Sequence, residues 1–128
     1  MNRIELNKLS KDILSAAFSV HREMGPGLLE AVYEYCLLKE LTSRGIYSQN
    51  QVFLPLHYKG EKLEKDFRID LLVSNHIIIE VKAVDVVLPV HEAQIISYLK
   101  LANLNLGFLI NFNVSLLKEG FRRYVNNF

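Results

Sequence analysis

The chain has little of what several function classes require. It holds one cysteine, Cys36, in 128 residues. That excludes an internal disulfide and a cysteine-based zinc cluster. Charge of one sign is missing as well: fifteen Lys and Arg stand against fourteen Asp and Glu, a net +1. The balance is local, with eight of each sign in residues 1–64 and seven basic against six acidic in 65–128. A partner captured by bulk electrostatics alone is therefore not indicated. No apolar run reaches membrane length. The longest uncharged stretch, Leu101 to Leu117, is broken by Asn103, Asn105, Asn111, Asn113 and Ser115 and falls short of about 18 apolar residues. The opening Met1-Asn2-Arg3-Ile4-Glu5 has no apolar centre of a signal peptide. Repeats and low-complexity tracts are absent too. These features predict a soluble, cytoplasmic protein with no membrane association.

What is present is ordinary globular sequence: 50% hydrophobic and 23% charged. A chain of this size buries roughly two-thirds of the surface its unfolded form exposes, so a single domain over 1–128 is expected. Ser10 reads as the cap of a first helix, in which Ile13, Leu14, Ala17, Phe18, His21 and Met24 recur at helical spacing. Gly25-Pro26-Gly27 stops it. A second helix is predicted from about Leu28 to Arg44, with Leu29, Val32, Tyr33, Cys36, Leu37 and Leu41 inward and Gly45 as a left-handed stop.

From Gln51 the period becomes two. Val52, Leu54, Leu56 and Tyr58 alternate, Lys59-Gly60-Glu61 turns, and Pro55 points to an edge strand. A second strand, about Leu63 to Val73, carries Leu63, Phe67, Ile69, Leu71 and Val73 on one side. Ser74-Asn75-His76 turns the chain into a third strand, Ile77 to Ala83. Pro89 opens a helix to about Ala102, Leu106 to Phe112 reads as a buried strand, and Ser115 as the cap of a last helix through Tyr124. The expected order is ααβββαβα, an α/β fold with a central mixed sheet of about four strands flanked by helices.

The chemistry concentrates on the second hairpin. With a three-residue loop, Asp70 faces Glu80, Arg68 faces Lys82 and Leu72 faces Ile78, all on one face. Ile69, Leu71, Val73, Ile77, Ile79 and Val81 fill the other. Directly opposed carboxylates have Cβ atoms roughly 4.5–5.5 Å apart and repel. A strand as apolar as Ile77-Ile78-Ile79 is normally central, so water alone does not relieve that repulsion. Three neutralisers are open: a hard divalent cation such as Mg²⁺ or Mn²⁺, a structural four-charge network with Arg68 and Lys82, or a proton held at raised pKa. On the hairpin alone the ion-pair network is the more ordinary outcome. Glu30 borders the buried stripe of the second helix, where a helix N-terminus also favours an acidic residue. Gln94 and Tyr98 lie four residues apart on the third helix, with His91 on the same side.

Asp70, then Glu80-Val81-Lys82, with Glu30 upstream and Gln94 and Tyr98 downstream, resembles the PD-(D/E)XK nuclease superfamily. Gly27-Leu28-Leu29-Glu30-Ala31-Val32-Tyr33 looks like the signature of the bacterial GxxExxY protein family, as do Val90-His91-Glu92-Ala93-Gln94 and Leu109-Ile110-Asn111-Phe112. The likeness runs from Gly25 to Val125. Ile69 stands where the superfamily's name has proline, and Phe67 where the family usually carries tyrosine. The resemblance implies a Mg²⁺- or Mn²⁺-dependent nuclease acting on phosphodiester bonds, in DNA or RNA. Asp70, Glu80, the Val81 carbonyl and Glu30 would serve the metal. Lys82, Glu80, Asp70, Gln94 and Glu30 would carry catalysis, with Tyr98, His91 and Arg68 in support. The alternative is a non-catalytic nucleic-acid- or protein-binding module on the same scaffold. The basic residues Lys118, Arg122 and Arg123 would sit on the last helix, and that helix could serve a homodimer.

Overall fold

The computed structural model describes residues 1–128. The first helix, α1 (Arg3–Met24), starts earlier than Ser10. Asn2 caps it: its side-chain oxygen accepts from the Glu5 N–H (2.8 Å), and the Glu5 carboxylate accepts from the Asn2 N–H (3.3 Å). This reciprocal pairing satisfies two donors that a helix start leaves open. Ser10 lies about two turns inside and donates its hydroxyl to the Leu6 carbonyl. Gly25, at φ +68°, ends the helix. The second, α2 (Glu30–Ser43), begins only after Leu29, which stays exposed rather than inward. Gly45, at φ +75°, follows its end as expected.

Five strands follow in a mixed sheet of order β1-β2-β3-β4-β5. β1 (Ser48–Tyr58) and β2 (Glu61–Val73) form an antiparallel hairpin closed by Lys59 and Gly60, both at positive φ. That two-residue geometry matches the strands' right-handed twist. β1 is an edge, which accommodates Pro55. β3 (Ile77–Lys82) pairs with β2 in the predicted register, Leu71 to Ile79, Leu72 to Ile78 and Val73 to Ile77. The third helix, α3 (Pro89–Ala102), crosses over to β4 (Leu106–Asn111), which runs parallel to β3.

The expected C-terminal helix is not there. A single 3₁₀ turn, Leu117–Glu119, leads into β5 (Phe121–Val125), antiparallel to β4. Two physical reasons favour the strand. Gly120 is a poor helix residue, and a Cβ there would come within 2.1 Å of the Asn111 carbonyl oxygen. Without β5, moreover, the backbone groups along one side of β4 would lack partners. The order is therefore ααβββαββ. Lys118, Arg122 and Arg123 share no helix face: Arg122 meets Glu92, and Arg123 lies over the Phe128 ring.

Helices cover both faces of the sheet. α1 and α2 pack Leu9, Ile13, Ala17, Tyr33, Leu37 and Leu41 against Leu71, Val73, Ile77, Ile79, Val81, Phe108 and Ile110. α3 packs Ile95 and Leu99 against Phe67, Ile69, Leu72, Ile78 and Leu109. Each such fully buried aliphatic side chain contributes about 1.5–3 kcal/mol. Ile69 thus belongs to the α3 layer, not beside Leu71 as strict alternation predicts. β2 changes face between Ile69 and Leu71, and Gln51, opposite on β1, has φ +53°. Leu63 is exposed, out on the hairpin arm. No helix is long and apolar enough to cross a membrane.

Candidate active site

The change of face at Asp70 opens the site. Beyond the Leu71–Ile79 pair the β2–β3 ladder stops, and the Val81 N–H donates to the Asp70 side chain (2.9 Å) instead of to a backbone carbonyl. The strands part there around a cavity of about 300 Å³. Its walls are Glu30, Phe53, Arg68, Asp70, Glu80, Lys82, Gln94 and Tyr98. The first carboxylate, the hairpin quartet and the α3 pair, far apart in sequence, share one hollow. A larger hollow of about 650 Å³ lies between α1 and α2. It holds none of these groups and is mostly apolar, so the chemistry belongs to the smaller one.

Glu30 reaches the cavity as the first residue of α2, and its neighbours explain how. Gly27 turns at φ +97°. The Tyr33 hydroxyl donates to the Gly25 carbonyl and accepts from the Leu28 N–H. Its ring stacks on Phe112 with centroids 4.6 Å apart. The loop is thereby tied to the buried core, and the Glu30 carboxylate accepts from the Ala83 N–H (3.2 Å), just past β3.

Glu80 is only 4% exposed, and its Oε1 is buried with no hydrogen-bond partner. Burial first, and the Asp70 charge second, push its carboxyl up to about 10, with Lys82 pulling the other way. The four-charge network does not form. The ion pairs of the molecule are Arg44–Glu40 and Arg122–Glu92; Arg68 and Lys82 make none. Burial and the Asp70 charge both favour a proton on the Glu80 carboxyl. Tyr98 is also raised, by burial and then by the Glu80 and Asp70 charges, and its ring stacks on Phe67 at 4.6 Å.

One expected participant is elsewhere. His91 accepts the Leu88 N–H at Nδ1 (3.0 Å) and so closes the start of α3 rather than lining the cavity. Val81 is expected to serve through its carbonyl alone; its side chain is buried on the α1–α2 face, and its N–H is committed to Asp70. Nor do three acidic, histidine or cysteine groups draw together into a ready ligand cluster. Asp70 acts on the Glu80 carboxyl, whereas Glu30 is engaged by the Ala83 N–H.

Sequence reasoning passed over Glu34 and Phe53. Glu34 accepts from Gln51 Nε2 (2.7 Å), tying α2 to the irregular point of β1, and burial raises its carboxyl. Phe53 carried a signal: it is an apolar residue on the polar phase of a strand whose apolar phase is Val52, Leu54 and Leu56.

A mixed sheet between helices, with an acidic pair where two strands part, is the architecture of PD-(D/E)XK nucleases. The model of that superfamily matches residues 7–124, and the chain belongs to it. No curated protein matches. Among solved structures, the chain is similar to the one described as the crystal structure of SSO0001, with a TM-score of 0.51 and 19% identity. The match covers 95% of this chain but 59% of that one. It is a likeness of fold.

Proposed function

We propose that the cavity is the active site of a metal-dependent nuclease hydrolysing phosphodiester bonds. The observation that carries the reading is Glu80, buried, with an unpartnered oxygen beside Asp70 and an ammonium that has no ion pair. A buried carboxylate in that state is expensive, and a proton or a hard cation relieves it. An oxygen donor pair suits Mg²⁺ or Mn²⁺, and divalent metals are typical of the superfamily. Asp70 and Glu80 would hold the ion, with the Val81 carbonyl and Glu30 as further ligands, the latter through water. Bound there, it supplies positive charge opposite the charge developing on the phosphate.

The chain's own groups divide the remaining work. Lys82 shares a strand face with Glu80 two residues before it. Its ammonium orients the attacking water and stabilises the phosphoryl oxygens. Gln94 offers an amide to water or phosphate. Tyr98, fixed by Phe67, walls the site, and Arg68 receives a phosphate oxygen. Glu30 closes the far side and fixes the loop at Ala83.

The test is a panel of labelled DNA and RNA, single and double stranded, incubated with Mn²⁺. Wild type should cleave at least one member, and Lys82→Ala should lose roughly a hundredfold or more of that rate. Equal products from both rejects the reading. The missing three-ligand cluster favours a second reading, a binding module that kept the scaffold. Calorimetry decides between them: absence of Mg²⁺ or Mn²⁺ binding at millimolar concentration would make it the module.

A further inference from the structure

We propose that Phe53 is a stacking platform for an unpaired base, so that the strand entering the cavity is single-stranded. This rests on the nucleic-acid reading above and narrows its substrate class. Phe53 is 63% exposed on the edge strand β1, yet it lines the acidic cavity. It serves no core, since Val52 and Leu54 on either side are the residues that pack toward α3. Its ring meets no other ring, whereas Tyr98, the other aromatic of the cavity, is already stacked on Phe67. Directly across the ladder stands Arg68, whose guanidinium also lines the cavity and has no carboxylate partner.

An aromatic face beside a free guanidinium matches the two halves of a nucleotide: base on Phe53, phosphate on Arg68. Stacking accepts any base, because each has a π face, but within a duplex both faces are covered by neighbouring bases. The charge distribution points the same way. Tracking a duplex backbone takes a set of phosphate contacts from clustered Lys and Arg. Here the net charge is +1, Arg122 is engaged with Glu92, and Arg123 with Phe128. Stacking needs no net charge.

The experiment is fluorescence anisotropy of a short labelled oligonucleotide, single-stranded or annealed, in Ca²⁺ so that the strand is not consumed. A 2-aminopurine base in the strand reports stacking directly. Wild type should bind the single strand at least about tenfold more tightly than the duplex and quench the 2-aminopurine. Phe53→Ala should lose roughly five- to hundredfold of single-strand affinity together with the quench, and Phe53→Trp should keep both. Equal single-strand affinity in wild type and Phe53→Ala overturns the proposal, as does no binding by wild type or a preference for duplex. Single-strand binding that depends on Phe53, in a protein that cleaves nothing in Mn²⁺, leaves the platform standing and removes the nuclease. Lys82-dependent cleavage with Phe53→Ala binding unchanged does the reverse.

Discussion

On the outer surface of α3, Glu92 accepts from Arg122 (3.2 Å) and from the Tyr124 hydroxyl (2.6 Å). The Tyr124 hydrogen bond first, and Arg122 after it, hold its carboxyl below the usual carboxylate range. Beneath the same helix, Glu80 has an oxygen with no partner, is pushed up to about 10, and lies near two cations that make no ion pair. The first cluster satisfies its own charges. The second leaves them unmatched where burial makes that most costly. Charges that serve only the fold tend to resemble the first, and an unmatched set in a cleft marks a place built for something not part of the chain.

The contrast breaks most sharply at Lys82. Lys82→Ala should remove roughly a hundredfold or more of Mn²⁺-dependent cleavage while leaving the circular dichroism spectrum and melting temperature near wild type, because the ammonium holds no structural ion pair. A large drop in melting temperature would instead make the cavity charges structural, like those at Glu92.

Glu80 sharpens the contrast through pH. Its folded pKa, about 10, lies above the ordinary 4.5, so the folded state retains a proton that the unfolded state gives up. Stability from this group is present below about 4.5 and erodes as pH rises toward 10. The metal-free protein should lose several degrees of melting temperature between pH 5 and pH 9, and Glu80→Gln should flatten that slope. Millimolar Mn²⁺ should raise the wild-type melting temperature at pH 8 and leave Glu80→Gln unmoved, since only the folded site binds the ion. A pH-independent wild type would remove Glu80 from the argument.

Tyr33→Phe asks whether the site depends on its loop. It removes the donor to Gly25 and strands the Leu28 N–H, a loss of about 1 kcal/mol, read as a drop of a few degrees in melting temperature. Cleavage should fall with it, because Glu30 starts from that loop. Unchanged activity would mean that Glu30 is held by Ala83 alone.

Much of this was legible in residues. The Gly25-Pro26-Gly27 break, the Ser74–His76 loop and the Pro89 start are local signals, and the loop length alone sets the register that brings Asp70 toward Glu80. What escaped was decided by neighbours distant in the chain. Phe121–Val125 became a strand because β4 had an open side and Gly120 lies against Asn111. Ile69 changed face because the ladder stops at Asp70, and a two-residue period contains no such event. His91 had the right helix and the right side, but the backbone donor of Leu88 was nearer than the cavity. The quartet on the hairpin was readable; that its cations would stay unpaired was not, since that depends on how far apart the strands lie.

The smallest effect is expected at the satisfied cluster, and its sign is what matters. Arg122 and Glu92 are both well within reach of solvent, where ion pairs contribute little. Arg122→Ala should leave cleavage unchanged and barely move the melting temperature. Glu92 has a lowered pKa, so its contribution is present above the ordinary carboxylate range and fades as pH falls through its folded value. Glu80 loses its contribution on the alkaline side instead. Glu92→Gln should therefore weaken the protein near neutral pH and converge with wild type in acid, whereas Glu80→Gln should match wild type in acid and exceed it in alkali. Two melting curves that diverge from wild type in the same direction would mean that both carboxylates are held by the same kind of environment, and the assignment of one as structural and the other as a ligand would have no basis.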